Sequence, residues 1–191
     1  IAPAVAKAAM DSGVATKPIA DFEAYREKLG RFVFRSGMLM KPVFDRARHD
    51  KRCVVYAEGE DERVLRAVQV VVDEDIVAPV LIGRTGVVAT RVKRLGLRLL
   101  EGRDYSLTDP ESDARYYEYW RGYHEIMQRH GVSPDLARTI IRTNNTVIAS
   151  MMLHRGEVDA MICGTHGQYS WHLKHVLDVI GKAKGVCDVS A

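Results

Sequence analysis

The sequence predicts an α/β protein with a three-layer α/β/α arrangement, a mainly parallel sheet and two lobes. Residues 53–57 form an apolar run of strand length, and a turn with one glycine leads from it into apolar positions at helical spacing. A second run, residues 77–82, ends at Gly83, and a third, residues 158–163, is expected to be a buried strand and precedes a polar turn and another helical pattern. A repeated order of strand, turn and helix is typical of parallel sheets, in which helices connect successive strands.

The composition is ordinary for a globular protein and argues against two classes of partner. Of the 191 residues, 47% are apolar and 28% are charged, and the formal net charge is +3. The basic residues are spread along the chain without a long block, so we expect no nucleic-acid partner. No apolar run approaches the roughly 20 residues that a membrane helix needs, so we expect no membrane partner either.

The cysteines indicate a reducing compartment. Cys53, Cys163 and Cys187 are widely separated, odd in number and placed in apolar, strand-like runs. This pattern predicts buried, reduced thiols of a cytoplasmic protein, not metal ligands or a disulfide framework. His172 and His175 have a spacing that would permit a metal pair on one helix face, but solvated or packed imidazoles are the expected state. No metal site is predicted.

The chain divides into three predicted segments: residues 1–19 as a tail and linker, residues 20–50 as connector helices, and residues 51–191 as a truncated α/β domain. The tail contains a short alanine-rich helix, and Asp21 is the expected N-cap of a connector helix that ends at Gly30. The chain has no initiator methionine and its last residues resemble a strand. We therefore expect it to be a piece of a longer polypeptide.

Within the α/β domain the pattern predicts a third strand at Leu97–Leu100 and a loop at residues 102–110. A long helix rich in aromatic residues is expected at residues 111–130, followed by a helix that begins at Ser133, with residues 144–146 as a point where it either breaks or restarts. A second lobe is expected to begin near Thr108.

Two turns carry polar residues at the ends of predicted strands. In the first, Glu60 and Asp61 suit the positive end of a helix, and three acids around one glycine argue against a phosphate cradle. The second, Gly164–Tyr169, follows the run VDAMIC and opens a helix. Its glycines would allow a ligand to approach the backbone, and its polar side chains can donate hydrogen bonds. An ordinary strand–helix turn with polar residues is the alternative.

The phrase EGEDERVLRA, at residues 58–67, resembles the opening signature of the phosphate acetyltransferase family. The resemblance continues at residues 78–83 and 158–164 and covers roughly residues 37–191. The segment IAPAVAKAAMDSGVATKPI is similar to the last helix of the bacterial malic enzyme catalytic region. In two-part malic enzymes that region is followed directly by a phosphate acetyltransferase-like domain. The resemblance implies a parent that oxidatively decarboxylates malate to pyruvate with NADP and Mg²⁺ or Mn²⁺.

The resemblance also implies roles for individual residues. The implied acyl-CoA-binding residues are Gly164, Thr165, His166, Gly167, Gln168 and Lys174. Lys174 stands where the family has an arginine that contacts coenzyme A, and lysine keeps the charge but loses the bidentate fork. The family's catalytic serine, aspartate and arginines lie in a C-terminal part that this chain does not include, so no catalytic residue is assigned.

Three functions remain open at the level of sequence. The first is a regulatory domain that senses acetyl-CoA and forms a homo-oligomer within a malic enzyme. The second is a working transferase that moves an acetyl or butyryl group between coenzyme A and phosphate. The third is an oligomerisation module without a ligand.

Overall fold

The computed structural model describes residues 2–25 and 37–189. They belong to two compact units, residues 1–49 and residues 50–191. In the first unit, α1 spans Ala2–Asp11 and α2 spans Gly37–His49. Asp21 begins a further helix, because its carboxylate accepts two backbone N–H groups of the following turn at 2.9 and 3.1 Å. The rest of this predicted connector helix, up to Gly30, lies outside the described residues.

The second unit is built on a parallel sheet. Its strands are β1 (Arg52–Tyr56), β2 (Val77–Ile82), β3 (Ser106–Thr108) and β4 (Ala160–Ile162). In the described residues the strand order is β3-β2-β1-β4, and every neighbouring pair is parallel. The chain moves outward from β1 to β3 and then returns to the other side of β1. In sheets of this kind ligands bind where the strand order reverses, which here is at the carboxyl ends of β1 and β4.

Helices fill the connections between these strands. They are α3 (Glu62–Asp73), α4 (Thr85–Arg94), α5 (Tyr116–Met127), α6 (Pro134–Thr143), α7 (Asn145–His154) and α8 (Tyr169–Val179). A short 3₁₀-helix, Gln128–His130, extends α5. The expected start of α6 and the break before α7 are confirmed, since the side chains of Ser133 and Asn144 accept backbone N–H groups of the first turns.

Alternating side chains along β1 divide the core between the two faces of the sheet. Val54 and Tyr56 pack with residues of α3 and α4 on one face. Val55 and Ala57 pack with residues of α5, α6, α7 and α8 on the other. The structure thus confirms three layers around a parallel sheet. The segment after Thr108, where a second lobe was expected, covers the second face of the same sheet, and residues 50–191 form one unit.

The predicted strand at Leu97–Leu100 is wrong. These residues form a loop, and β3 lies in the segment that was predicted as a loop. Leu99 is buried against the α3–α4 face, so its apolar character serves core packing and not strand pairing. The backbone N–H of Leu100 donates to the carboxylate of Asp104 at 2.8 Å, which satisfies it without a neighbouring strand.

The burial expected for the run at residues 158–163 is also wrong. Strand β4 is short, and Ile162 is 49% exposed. Within the part of the chain that the structure describes, β4 pairs with β1 and with no second strand. An apolar run at a sheet edge keeps one flank open to solvent, which the sequence pattern cannot distinguish from a buried strand.

The thiols differ from the expectation of burial. Cys53 and Cys163 are half-buried, and Cys187 is exposed. Cys187 follows α8 in a segment without helix or strand, so no element covers it. Separately, no helix in the described part of the chain is both long and apolar enough to cross a bilayer.

Candidate ligand-binding site

One buried carboxylate joins the turns at the carboxyl ends of β1 and β4. Glu58, in the turn after β1, is 7% exposed. Its Oε1 accepts the backbone N–H of Gly164 at 2.9 Å, and its Oε2 accepts the hydroxyl of Thr165 at 3.3 Å. Because β1 and β4 are parallel neighbours, both turns lie at the same edge of the sheet. Glu58 therefore fixes the turn Gly164–Tyr169, called the site turn below, against the centre of the sheet.

His172 holds the same turn from the helix side. It lies in the first part of α8 and is 5% exposed. Its Nε2 lies 2.8 Å from the carbonyl oxygen of His166, and its Nδ1 lies 2.8 Å from Oγ1 of Thr146 and 3.9 Å from Oε1 of Glu58. A carbonyl oxygen only accepts, so Nε2 carries a proton and donates to His166, while Nδ1 shares a second hydrogen bond with the hydroxyl of Thr146. Protein groups thus occupy both ring nitrogens.

Glycine is required twice in this turn by the backbone. Gly164 and Gly167 both have φ of +93°, a region that side chains other than glycine rarely adopt. A Cβ at Gly167 would also lie 3.1 Å from Nε2 of His172. The two glycines let the chain turn tightly around the imidazole, and they leave the backbone beside it uncovered.

The structure brings five of the six predicted residues together and uses the Thr165 hydroxyl and several backbone groups of the turn internally, whereas His166 and Gln168 are exposed. The hydroxyl of Thr165 donates to Glu58, and the carbonyl of His166 accepts from His172. The carbonyl of Gln168 accepts the N–H groups of Trp171 and His172 at the start of α8. The sixth residue, Lys174, projects from α8 and pairs with Asp178 at 2.6 Å, with a side chain that is 66% exposed.

A cavity of about 620 Å³ lies beside the turn, along the open flank of β4. Its lining comes mainly from apolar side chains of β4 and α8, together with the site turn. The lining residues are Met161, Ile162, Cys163, Gly164, Gly167, Tyr169, His172, Leu173, Val176 and Val189. No lysine or arginine is among them. The cavity therefore suits an uncharged, largely apolar group more than a phosphate.

The thiol in this cavity is not activated. Burial raises the pKa of Cys163, and the nearby Glu58 carboxylate raises it further. The thiolate is the nucleophilic form, so a raised pKa lowers its population at neutral pH. The imidazole of His172, with both nitrogens occupied, is not presented to the cavity as a free base. In the residues that the structure describes, the arrangement can bind a ligand but does not supply a nucleophile and base for acyl transfer.

An arginine ties the rim of the site to the acidic turn. Arg63 of α3 donates from Nη2 to the carbonyl oxygen of Thr165 at 2.9 Å and forms a two-point contact with Asp61. In the same turn Glu60 is held by Arg84, whose side-chain hydrogen bonds lower the pKa of that carboxyl. The acidic turn thus has arginine partners and supports the site turn without binding an anion itself.

Sequence reasoning missed Glu58 and His172 as site residues. Glu58 is the first polar residue after the apolar run of β1, and the carboxyl end of a central strand is where ligands gather in such sheets. His172 precedes Val176 and Val179 by four and seven residues, so helical spacing placed it on the buried face of α8. The pattern could have predicted burial of the imidazole, but not its hydrogen-bond partners from α7 and from the turn.

Residues 38–191 match the family described as phosphate acetyl/butaryl transferase. The chain belongs to that family. A phosphotransacetylase of Staphylococcus aureus, EutD, has the same fold, with a TM-score of 0.68 and 21% sequence identity over 80% of this chain and 44% of that one. At this level of identity the likeness shows the fold alone.

Malic enzymes are similar to the whole chain. An NAD-dependent malic enzyme of Rhizobium meliloti (strain 1021) is 55% identical over 100% of this chain and 25% of its own length. An NADP-dependent malic enzyme of Salmonella typhimurium is 49% identical over 97% of this chain and 24% of its own length. The chain therefore spans about a quarter of the curated relatives that it matches.

Proposed function

We propose that the chain is the acetyl-CoA-sensing, oligomerising regulatory part of a cytoplasmic malic enzyme. The parent would oxidatively decarboxylate malate to pyruvate with NADP and Mg²⁺ or Mn²⁺ bound outside this chain. Two findings together carry the proposal. The chain belongs to the phosphate acetyl/butaryl transferase family, and nearly its full length matches malic enzymes at 55% and 49% identity. One of these relatives is named as NAD-dependent and the other as NADP-dependent, so the parent enzyme has to be assayed with both dinucleotides.

The cavity beside β4 supports binding of the acyl end of acetyl-CoA. Its apolar lining and lack of cations suit the acetyl group and the adjoining pantetheine arm, which carry no charge. The phosphates would lie outside, where Lys174 is exposed. A phosphate would have to displace the Lys174–Asp178 pair, and exposed ion pairs of this kind contribute little, about 0–1 kcal/mol.

Regulation requires a difference in affinity between two states of the parent. Acetyl-CoA can change the activity toward malate only if it binds one state of the oligomer better than the other. The raised pKa of Cys163 and the occupied nitrogens of His172 support binding without turnover, which is the behaviour of an effector site.

The first test is equilibrium dialysis of the full 191-residue chain with labelled acetyl-CoA. We expect saturable binding that Ile162→Arg weakens at least about tenfold, because a cation is introduced into an apolar cavity. The matched control is Val70→Arg, since Val70 is similarly exposed, at 58%, on α3 and lines no part of this cavity. Equal losses in both variants, or no binding at all, would reject the site.

The second test concerns the parent enzyme. Its oxidation of malate is measured with NADP and with NAD, with and without acetyl-CoA, and its mass in solution is followed by light scattering. We expect acetyl-CoA to change the rate and Ile162→Arg to reduce that change. An enzyme that binds acetyl-CoA here without any change in rate or assembly would contradict a regulatory role.

A second candidate function is acyl transfer between coenzyme A and phosphate, and the family match at residues 38–191 favours it. It predicts that the parent forms acetyl phosphate from acetyl-CoA and inorganic phosphate. This candidate is placed second because the relatives that match nearly the full chain at 55% and 49% identity are malic enzymes. Measurable acetyl phosphate formation would reverse the order.

A further inference from the structure

A second cavity lies on the surface of the α5–α6 pair and shares no residue with the site beside β4. Its volume is about 370 Å³, and its lining residues are Tyr116, Arg138, Thr139 and Arg142. The two arginines are four residues apart on α6, which places them on the same helix face.

Both guanidinium groups are held over aromatic rings. Cζ of Arg138 lies 4.4 Å from the ring centroid of Trp120, and Cζ of Arg142 lies 4.7 Å from that of Tyr116. Such contacts restrict a long, flexible side chain and leave N–H groups at the edge of the guanidinium plane available to a ligand. A ligand would then bind groups that have already lost much of their rotamer freedom, which reduces the entropy cost of binding.

The charges of this cavity are only weakly compensated. Within the described residues, no carboxylate forms an ion pair with Arg142. Arg138 pairs with Asp135 at 2.8 Å, but the side chain of Asp135 is 90% exposed, so water weakens this pair.

The two hydroxyl groups of the cavity already donate hydrogen bonds to backbone carbonyl groups of the protein. The hydroxyl of Tyr116 donates to the carbonyl of Arg138 at 3.0 Å, and the hydroxyl of Thr139 donates to the carbonyl of Asp135 at 3.0 Å. The donors left for a ligand are therefore those of the two guanidinium groups. A ligand with several anionic oxygens matches them, because guanidinium binds phosphate oxygens through parallel hydrogen bonds.

We propose that Arg138 and Arg142 form a binding site for a phosphate or diphosphate group, separate from the proposed acetyl-CoA site. The group can come from inorganic phosphate or pyrophosphate, or from a nucleotide that carries it. An acidic segment of another protein is the competing occupant, and it lacks the compact, multiply charged oxygen cluster that two neighbouring guanidinium groups favour.

The test uses the full chain, with labelled pyrophosphate, inorganic phosphate and ADP in equilibrium dialysis at constant ionic strength. We expect pyrophosphate to bind with a Kd below about 1 mM and Arg142→Gln to raise that Kd at least about tenfold. Arg142→Lys should give an intermediate loss, because lysine keeps the charge but lacks the planar fork. Tighter binding of ADP than of pyrophosphate would identify a nucleotide as the source of the phosphate.

The matched control is Arg129→Gln, which removes the same charge from an exposed position on the 3₁₀-helix outside the cavity. A fluorescence measurement with excitation selective for tryptophan gives a local readout: the chain has 2 tryptophans, so Trp171→Phe leaves Trp120, beneath Arg138, as the only one. We expect pyrophosphate to change its emission with the same Kd as in dialysis. No saturable binding up to about 10 mM, equal losses in Arg129→Gln and Arg142→Gln, or binding of an acidic peptide in place of pyrophosphate would overturn the proposal.

Discussion

Gly59 lies where the turn after β1 comes too close to the end of β2 for a side chain. Its N–H donates to the carbonyl oxygen of Ile82 at 3.0 Å, and a Cβ would lie 2.8 Å from that oxygen and from Cβ of Leu81. The atoms that a Cβ would meet belong to the backbone of β2 and to a buried core side chain, and neither can move aside easily. The glycine of the EGEDERVLRA phrase is therefore explained by packing between the turn after β1 and the end of β2.

Gly59→Ala should lower the free energy of unfolding by about 1–3 kcal/mol, as expected for overpacking in a tight site. Gly86, in α4, is the matched control, since a Cβ there would meet nothing within 4 Å. Gly86→Ala should be neutral or stabilise by up to about 1 kcal/mol. Denaturant unfolding measures both, and equal effects would contradict the packing explanation.

His175 is a buried polar group without a hydrogen-bond partner in the described structure. Both of its ring nitrogens are buried, and its ring meets the ring of Trp171 edge-on at 5.1 Å. Burial lowers the pKa of this imidazole, the charge of Lys174 lowers it further, and Asp178 acts weakly in the opposite direction. The folded state therefore disfavours the protonated form of His175.

His175→Leu should stabilise the chain, and more so in acid. The lowered pKa means that the unfolded state takes up a proton before the folded state does, so this contribution to stability falls as the pH drops below the ordinary value of 6.5. Leucine removes both this penalty and the unsatisfied polar atoms. Unfolding measured from pH 8 to pH 5 should give a growing advantage to the variant. An unchanged pH profile would show that His175 finds a partner in solution.

At the scale of elements, the start of α3 depends on Asp61. Its carboxylate accepts the backbone N–H of Arg63 at 2.8 Å and two hydrogen bonds from the Arg63 guanidinium. The side-chain hydrogen bonds from Arg63 are the main reason why the pKa of Asp61 falls from 3.8 to about 2. The expectation that an acidic residue of this turn suits the start of the helix is thus confirmed for Asp61, which is joined through Arg63 to the site turn.

Asp61→Ala should cost about 1 kcal/mol at neutral pH through loss of the cap, and Asp61→Asn should cost less because its amide oxygen can still accept the N–H. The depressed pKa stabilises the folded state above pH 3.8, and that contribution is lost as the pH falls from 3.8 to about 2. Acid titration of unfolding should show this loss in the unmodified chain and not in either variant. The same acid limb in Asp61→Asn would assign it to other carboxyl groups.

At the scale of the whole second unit, Glu157 connects segments that are far apart in sequence. It lies in the turn between α7 and β4, with a side chain that is 20% exposed. It accepts hydrogen bonds from Arg115 at 2.7 Å, Tyr119 at 2.6 Å and Arg155 at 2.6 Å. Arg115 also donates to Thr108 at 3.1 Å, so β3, α5 and the turn before β4 are fastened together.

Glu157→Gln should lower the free energy of unfolding by about 2–4 kcal/mol, because an amide cannot neutralise two guanidinium groups and brings its own N–H₂ toward other donors. Glu118→Gln is the control: Glu118 is 54% exposed and pairs with Arg155 at the surface. Its loss should cost less than about 1 kcal/mol. Thermal unfolding compares the two, and similar effects would contradict a central role for Glu157.

Several elements followed from the sequence because their signals are local. Strand β2 was predicted at its observed bounds, the cap of α6 followed from Ser133, and the break before α7 was placed at residues 144–146. Leu97–Leu100 and β4 were misjudged because apolar character reports burial tendency and not which surface covers a residue. The site turn was located, but Glu58 contacts it from 106 residues away, and His172 is held by Thr146, 26 residues away.

The sequence by itself determined that this chain is a parallel α/β protein with an acidic turn after the first strand and a glycine turn after the last. Periodicity, caps and glycines are local properties, and each acts through its near neighbours. Only the tertiary structure decided that the Glu58 carboxylate forms its hydrogen bonds inside the protein and that both ring nitrogens of His172 have protein partners. It also decided that the cavity beside β4 is apolar. Those facts depend on how the reversed strand order sets the turn after β1 beside the turn after β4, a contact between residues 58 and 164 that no local pattern encodes.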